Sequence, residues 1–463
     1  MSYRRPLDEG GAGPALTTES STPSELTPPL GISWLNRDLI WLFVLRVLRS
    51  LSQGYLGIIL PLYLVALGYG AEALGVLLAV SAVEAAAVST VIGVLADRFG
   101  RKLFLVVISL LLAFGAFGFS LAHSFVWIVV FAAIGSIGRG GALAGGAWGP
   151  FYPAVQALVA EHSSDENRTT VFGAFSFVGV MAGAAGSALA ALPSLLRHFT
   201  GLDELIGYRI LFVATGVLNV AMALAVFPIN ENRALELELA DELARQRQRE
   251  RRERPREGLT LGLSSNSWRL VTRFMITNAT NGLAIGMLGP IVVYWFYRRF
   301  GVNSAQLAGV FFAMNLVTAI PYLMAGRLAL WLGSVRSVVA TRAVSSVLMF
   351  AVVVMPTFGL AALVYGIRAV FNVLSIPVRQ SYLMGVIDPA ERSSASGFAN
   401  FPSQVTSALG PYMAGYFMEH LMLSLPLEFA AVMQGLNTVL YYLFFRNVFP
   451  PEELDAAEAR KKE

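Results

Sequence analysis

Arg49 and Glu84 each stand in the middle of a long apolar run, at residues 38–66 and 74–96. A charge at the centre of a bilayer costs about 2.5–3.5 kcal/mol on insertion scales, so each one retained there is a candidate for function. With about 1.5 Å of rise per residue, Arg49 lies about 16 Å into its run and Glu84 about 15 Å into its own, which puts both at one depth on antiparallel neighbours. Two chemistries fit this placement, proton carriage by Glu84 and capture of an anion by Arg49; a permanent buried ion pair fits equally well. Arg46, about 12 Å deep, is expected to turn its long side chain back to the headgroups. Arg139 stands in Gly138-Arg139-Gly140-Gly141, where missing side chains admit a ligand or another backbone. Arg368 and Asn372 are one helical turn apart and share a face, as do Asn278 and Asn281. Arg368 is the better substrate contact of these, whereas the two asparagines suit hydrogen bonds between helices.

These residues need apolar elements to hold them. The chain has 463 residues, 56% hydrophobic and 14% charged, against about 45–50% and about 25% in soluble domains. Its mean hydropathy is +0.62. Twelve apolar runs lie at 38–66, 74–96, 103–122, 125–158, 169–192, 208–227, 270–297, 305–332, 335–355, 360–386, 394–418 and 427–445, each long enough to span a membrane as a helix. The expected organisation is a disordered tail (1–35), a first six-helix half (36–228), a charged linker (229–268), a second half (269–446) and a final tail (447–463). Residues 231–257 hold eight acidic and eight basic residues and are expected to form a solvated helical tether. Arg98, Arg101, Lys102, Arg168, Arg336 and Arg392 all fall in loops on one side, which predicts both termini in the cytoplasm of a multi-pass protein of the cell membrane.

The turn between the second and third runs reads Gly93-Val94-Leu95-Ala96-Asp97-Arg98-Phe99-Gly100-Arg101-Lys102. It resembles the loop between the second and third helices of the major facilitator superfamily of secondary transporters. The halves also repeat. Pro153, Gln156, Arg168, Gly173 and Gly186 match Pro377, Gln380, Arg392, Gly397 and Gly410, each pair 224 residues apart. Gly57 and Pro61 match Gly286 and Pro290, both pairs 229 residues apart, and that register sets Asn278 in the place of Arg49. Gly93-x-Leu95-Ala96 with Gly100 recurs as Gly326-x-Leu328-Ala329 with Gly333, but Leu330 replaces Asp97. The resemblance implies an all-α membrane fold of twelve helices in two pseudo-symmetric halves, a substrate path between them, and a cytoplasmic gate built from Gly93, Asp97, Arg98, Gly100, Arg101 and Lys102. It also implies a role in proton coupling for Arg139.

The expected function is proton-linked transport of a small organic solute. Four deep arginines (Arg46, Arg49, Arg139, Arg368) against one deep glutamate favour an anionic or zwitterionic one. A broad-specificity drug/proton antiporter is the alternative. A transport-dead receptor and an intramembrane enzyme are distant ones. The chain has no His-Glu-x-x-His, Gly-x-Ser-x-Gly or Gly-x-x-x-x-Gly-Lys-Ser/Thr, the patterns of zinc hydrolysis, a nucleophilic serine and nucleotide binding. With no cysteine and four histidines placed at run ends or in loops, no metal or other cofactor is expected. A net charge of +4, spread over loops, makes no case for nucleic acid.

Overall fold

A computed structural model describes residues 35–99, 101–138, 155–156, 158–159, 161–163, 168–230, 263–387 and 392–448. Residues 1–34 and 449–463 of the expected tails, 231–262 of the charged linker, Gly100 and Arg139 lie outside the described residues. Fourteen helices are defined: α1 (Arg37–Ala66), α2 (Ala71–Phe99), α3 (Arg101–Leu121), α4 (Phe125–Ile134), α5 (Arg168–Leu189), α6 (Leu192–Thr200), α7 (Glu204–Val226), α8 (Ser265–Gly286), α9 (Gly289–Phe300), α10 (Ser304–Leu332), α11 (Ser334–Val354), α12 (Phe358–Val386), α13 (Arg392–His420) and α14 (Leu425–Phe445). Nine stretches among the described residues are long and apolar enough to cross a membrane. Their outer faces carry large exposed apolar side chains such as Phe114, Leu121, Val347 and Leu363, which hydrocarbon solvates and water does not.

Helix ends follow local chemistry. Asn36 caps α1 by accepting from the Leu39 amide at 2.8 Å, and Gly201 and Gly301 close α6 and α9 in the left-handed region. Three features depart from the run-by-run expectation. The run 270–297 is two helices, because Pro290 lacks an amide proton and its ring crowds the carbonyl four residues back, that of Gly286; Met287 and Leu288 carry the break. The run 125–158 leaves helix after Ile134, where Ser136 takes φ 48° and Gly138 φ 101°. A short extra helix, α6, follows α5, with Pro193 in its first turn and Arg197 and His198 in its last.

Each half is held by the same device. A Cβ on Gly54 of α1 would strike the Gly183 carbonyl of α5, and one on Gly186 would strike that of Leu51. In the second half a Cβ on Gly410 of α13 would meet Gly286 Cα of α8 at 2.7 Å. Missing side chains thus bring α1 onto α5 and α8 onto α13, backbone against backbone.

Among the described residues the apolar core is continuous across both halves at one end, joining Tyr63, Leu74, Phe212, Trp295, Phe311 and Leu427. At the other end, where α1 begins and α14 finishes, it divides. Leu39, Leu105, Phe175 and Met222 form one cluster in the first half, and Phe274, Tyr382, Tyr441 and Phe445 another in the second.

Candidate functional site

The second half carries a buried polar layer. Arg342 of α11, 1% exposed, donates through Nη1 to Asn281 Oδ1 of α8 and to Asn437 Oδ1 of α14, the latter at 3.3 Å. Asn437 passes its own Nδ2 to the Thr277 carbonyl and, at 3.2 Å, to the Thr280 hydroxyl. About one turn away from Asn437, Gln434 of α14 accepts from Arg368 Nη2 at 3.4 Å and donates to Asn372 Oδ1 at 3.0 Å. Arg368 and Asn372 therefore share a face as expected, and both meet α14. The Arg368 guanidinium also lies 5.4 Å from the Tyr365 ring centre, a cation–π distance. Asn278 donates to the Ala399 carbonyl of α13 at 2.8 Å, the interhelical bond the sequence suggests.

Sequence reasoning missed Arg342, Gln434 and Asn437. The signal for Arg342 was available: it is the one charged residue inside the apolar run 335–355 other than Arg336 at its mouth.

In the first half Arg49 is 3% exposed on α1 and Glu84 half-buried on α2. Arg46 departs from expectation. It is 9% exposed, its guanidinium lies 5.2 Å from the Phe175 ring centre, and a Cβ on Gly179 of α5 would strike it. The glycine opens a slot in the neighbouring helix, so the side chain packs inward instead of reaching the headgroups. Gln53 of α1 and Asn219 of α7 are 2% and 0% exposed, and neither end of either amide has a hydrogen-bond partner among the described residues.

The gate motif is partly visible. Gly93, Asp97 and Arg98 lie in the last two turns of α2, and Arg101 opens α3. Lys102 Nζ donates to the carbonyls of Phe227 at 2.6 Å and Ile229 at 2.9 Å, just past the end of α7, where a cation satisfies free carbonyls and the helix dipole together. Arg168 and Arg392, expected in loops, are instead the first residues of α5 and α13.

At the end far from the termini the halves are shut against each other. A Cβ on Gly75 of α2 would meet the Pro411 carbonyl of α13 at 2.5 Å, and one on Gly415 would strike the Ala71 carbonyl. Glu419 accepts from the Ala71 amide at 2.8 Å, and His420 meets Glu72 at 3.0 Å. Ser194 and Ser304 are bonded at 2.7 Å, and deeper in, Asn315 of α10 donates to Ser187 of α5 at 3.1 Å.

Two packed halves, closed at one end and cored separately at the other, are the frame of a carrier. The sequence model of the Major Facilitator Superfamily matches residues 42–376. The chain belongs to this superfamily. It is 23% identical over 399 residues to an uncharacterised membrane protein of Saccharomyces cerevisiae, YJR124C, covering 82% of this chain and 88% of the yeast protein. A shorter match, 28% identical over 144 residues, is to the quinolone resistance protein NorA of Staphylococcus aureus, covering 31% of this chain and 35% of NorA. Among solved structures, a D-xylose–proton symporter superposes with a TM-score of 0.69 at 12% identity, covering 88% of this chain and 98% of the symporter. A bacterial homologue of the human lysosomal transporter Spinster, crystallised inward-facing, superposes at 0.64 with 14% identity, over 90% and 98% of the two chains. The fold is thus that of the superfamily's secondary transporters, and the chain is a non-enzymatic membrane transporter of that family.

Proposed function

We propose that this protein moves a small anionic or zwitterionic organic solute by proton-linked alternating access, with both termini in the cytoplasm of the cell membrane. The observation that carries the reading is the charge balance of the interior. Arg46, Arg49, Arg342 and Arg368 are all buried, whereas Glu84 is the one carboxylate in a described helix more than two turns from either end. That excess of buried positive charge, in a medium of low dielectric constant, favours anions over cations on a path between the halves. Glu84 is the group whose protonation changes that balance by one charge. The loop cations on the side of the termini support the orientation. Asp97 and its neighbours remain the proposed gate at that end, and Arg139 a proposed coupling residue.

Flux into liposomes under an imposed pH gradient tests the proposal. Glu84→Gln fixes the neutral form and is expected to abolish gradient-driven flux while leaving substrate exchange intact. Normal coupled flux in that variant would remove Glu84 from the mechanism. The NorA match favours a second reading, broad-specificity drug/proton antiport; substrates of every charge competing equally, with no effect of salt, would support it over the first.

A further inference from the structure

The second half contains a cavity of about 530 Å³ set between α8, α12 and α13, toward the end where α1 begins. It is separate from the Arg368–Gln434–Asn372 layer. Its polar lining is Asn278, Arg379, Gln380, Ser381, Ser396 and Asn400, with Phe274 contributing an apolar face. No carboxylate is among the described lining residues. The helices make room for it: α8 is drawn onto α13 by Gly286 and Gly410, whereas α12 touches α13 only lightly. Counting about 1.5 Å per residue from the helix ends places Ser396 about 6 Å, Arg379 about 10 Å and Asn278 about 20 Å from that end.

We propose that this pocket is a binding site for a small hydroxylated organic anion, met on the way between the termini-side mouth and the middle of the membrane. Three observations carry it. Arg379 is the one charged side chain among the described lining residues, and its Nη1 has no acceptor among the described residues, so its guanidinium brings the cavity a positive charge that no lining carboxylate neutralises. Asn278 donates through Nδ2 to the Ala399 carbonyl at 2.8 Å, and Asn400 through its own to the Ser396 carbonyl at 3.0 Å, which fixes the nitrogen side of each amide. Both therefore offer their Oδ1 atoms as acceptors, which suits hydroxyl groups on the ligand. The volume lies within the range of about 300–1,000 Å³ usual for small-molecule sites. The proposal rests on the reading of the chain as a carrier of an anionic solute, but the test below reads the pocket without flux.

The chain has no cysteine, so Ser396→Cys gives a single thiol inside the cavity. Its rate of modification is measured in purified protein with two reagents of like size and opposite charge, sulfonatoethyl and trimethylammonioethyl methanethiosulfonate. Relative to a free thiol, the anionic reagent is expected to gain by about tenfold or more over the cationic one. Adding Arg379→Gln should return the ratio to that of the free thiol, Arg379→Lys should keep the preference, and Arg368→Gln should leave it in place. Millimolar lactate, glycerate or gluconate should slow labelling where glycerol and sorbitol do not. A charge-blind thiol, a preference that survives Arg379→Gln, or protection no better by the hydroxy acids than by the polyols would overturn the proposal. Labelling that stays charge-selective in a chain whose flux ignores the pH gradient would sink proton coupling and keep the pocket; charge-blind labelling in a chain with coupled flux would do the reverse.

Discussion

Arg342 and Arg46 show how one kind of residue is kept inside a membrane by two means. Arg342 spends its charge on amide oxygens of two neighbouring helices, and Arg46 lies against an aromatic face in a slot left by a glycine. The repeat registers set Ser52 and Ser109 opposite Asn281 and Arg342, so a large cation in the second half stands where the first half has a serine. Arg342→Ala leaves two buried amide oxygens without their donor, and hydrogen bonds to charged groups contribute about 1.5–3 kcal/mol each. The variant is expected to melt well below the parent in detergent. Arg342→Met with Asn281→Leu and Asn437→Leu removes charge and acceptors together and should recover most of the loss. Failure of the triple variant to recover would mean that the cation has a further partner whose loss the apolar replacements do not offset.

At the scale of the element, the capping of α7 by Lys102 separates packing from gating. Lys102 belongs by resemblance to the gate, and two of its bonds run to Phe227 and Ile229 within its own half. Lys102→Met should therefore lower stability by about 1 kcal/mol through the lost cap and leave flux per folded molecule unchanged. Reduced flux in a variant of unchanged stability would restore Lys102 to the gate. The helices themselves were largely legible in the sequence, because long apolar stretches have one solution in a bilayer. Gly186 and Gly410, matched by the repeat alone, turn out to be the points where backbones meet. The break at Met287 and Leu288 was not legible from hydropathy, which is blind to a kink that keeps its apolar composition, although Pro290 carried the signal. Pro61 holds the matching place in α1, and α1 runs unbroken from Arg37 to Ala66, so proline alone does not decide the outcome. Arg342 escaped for a related reason: its amide partners come from two stretches distant in sequence, and no local pattern links them.

At the scale of the whole molecule, the two halves are joined where the core is continuous and separate where it divides. Closure at the joined end depends on Gly75 and Gly415, since any side chain there meets the backbone of the opposite helix. The Glu72–His420 pair above them is partly exposed and adds little in water, so the glycine contact is the determining one. Gly75→Leu should prevent the seal and shift the population toward a form open at that end. A nitroxide pair on Ala66→Cys and Met422→Cys reports it directly, because both sites are exposed, one on each half, and no native cysteine competes for label. The expected result is a longer distance in Gly75→Leu than in the parent, together with loss of flux, since a carrier held open at one end cannot complete its cycle. An unchanged distance would show that α2 and α13 can part and repack around a side chain, and closure would then have to rest on the deeper contact between Ser187 and Asn315.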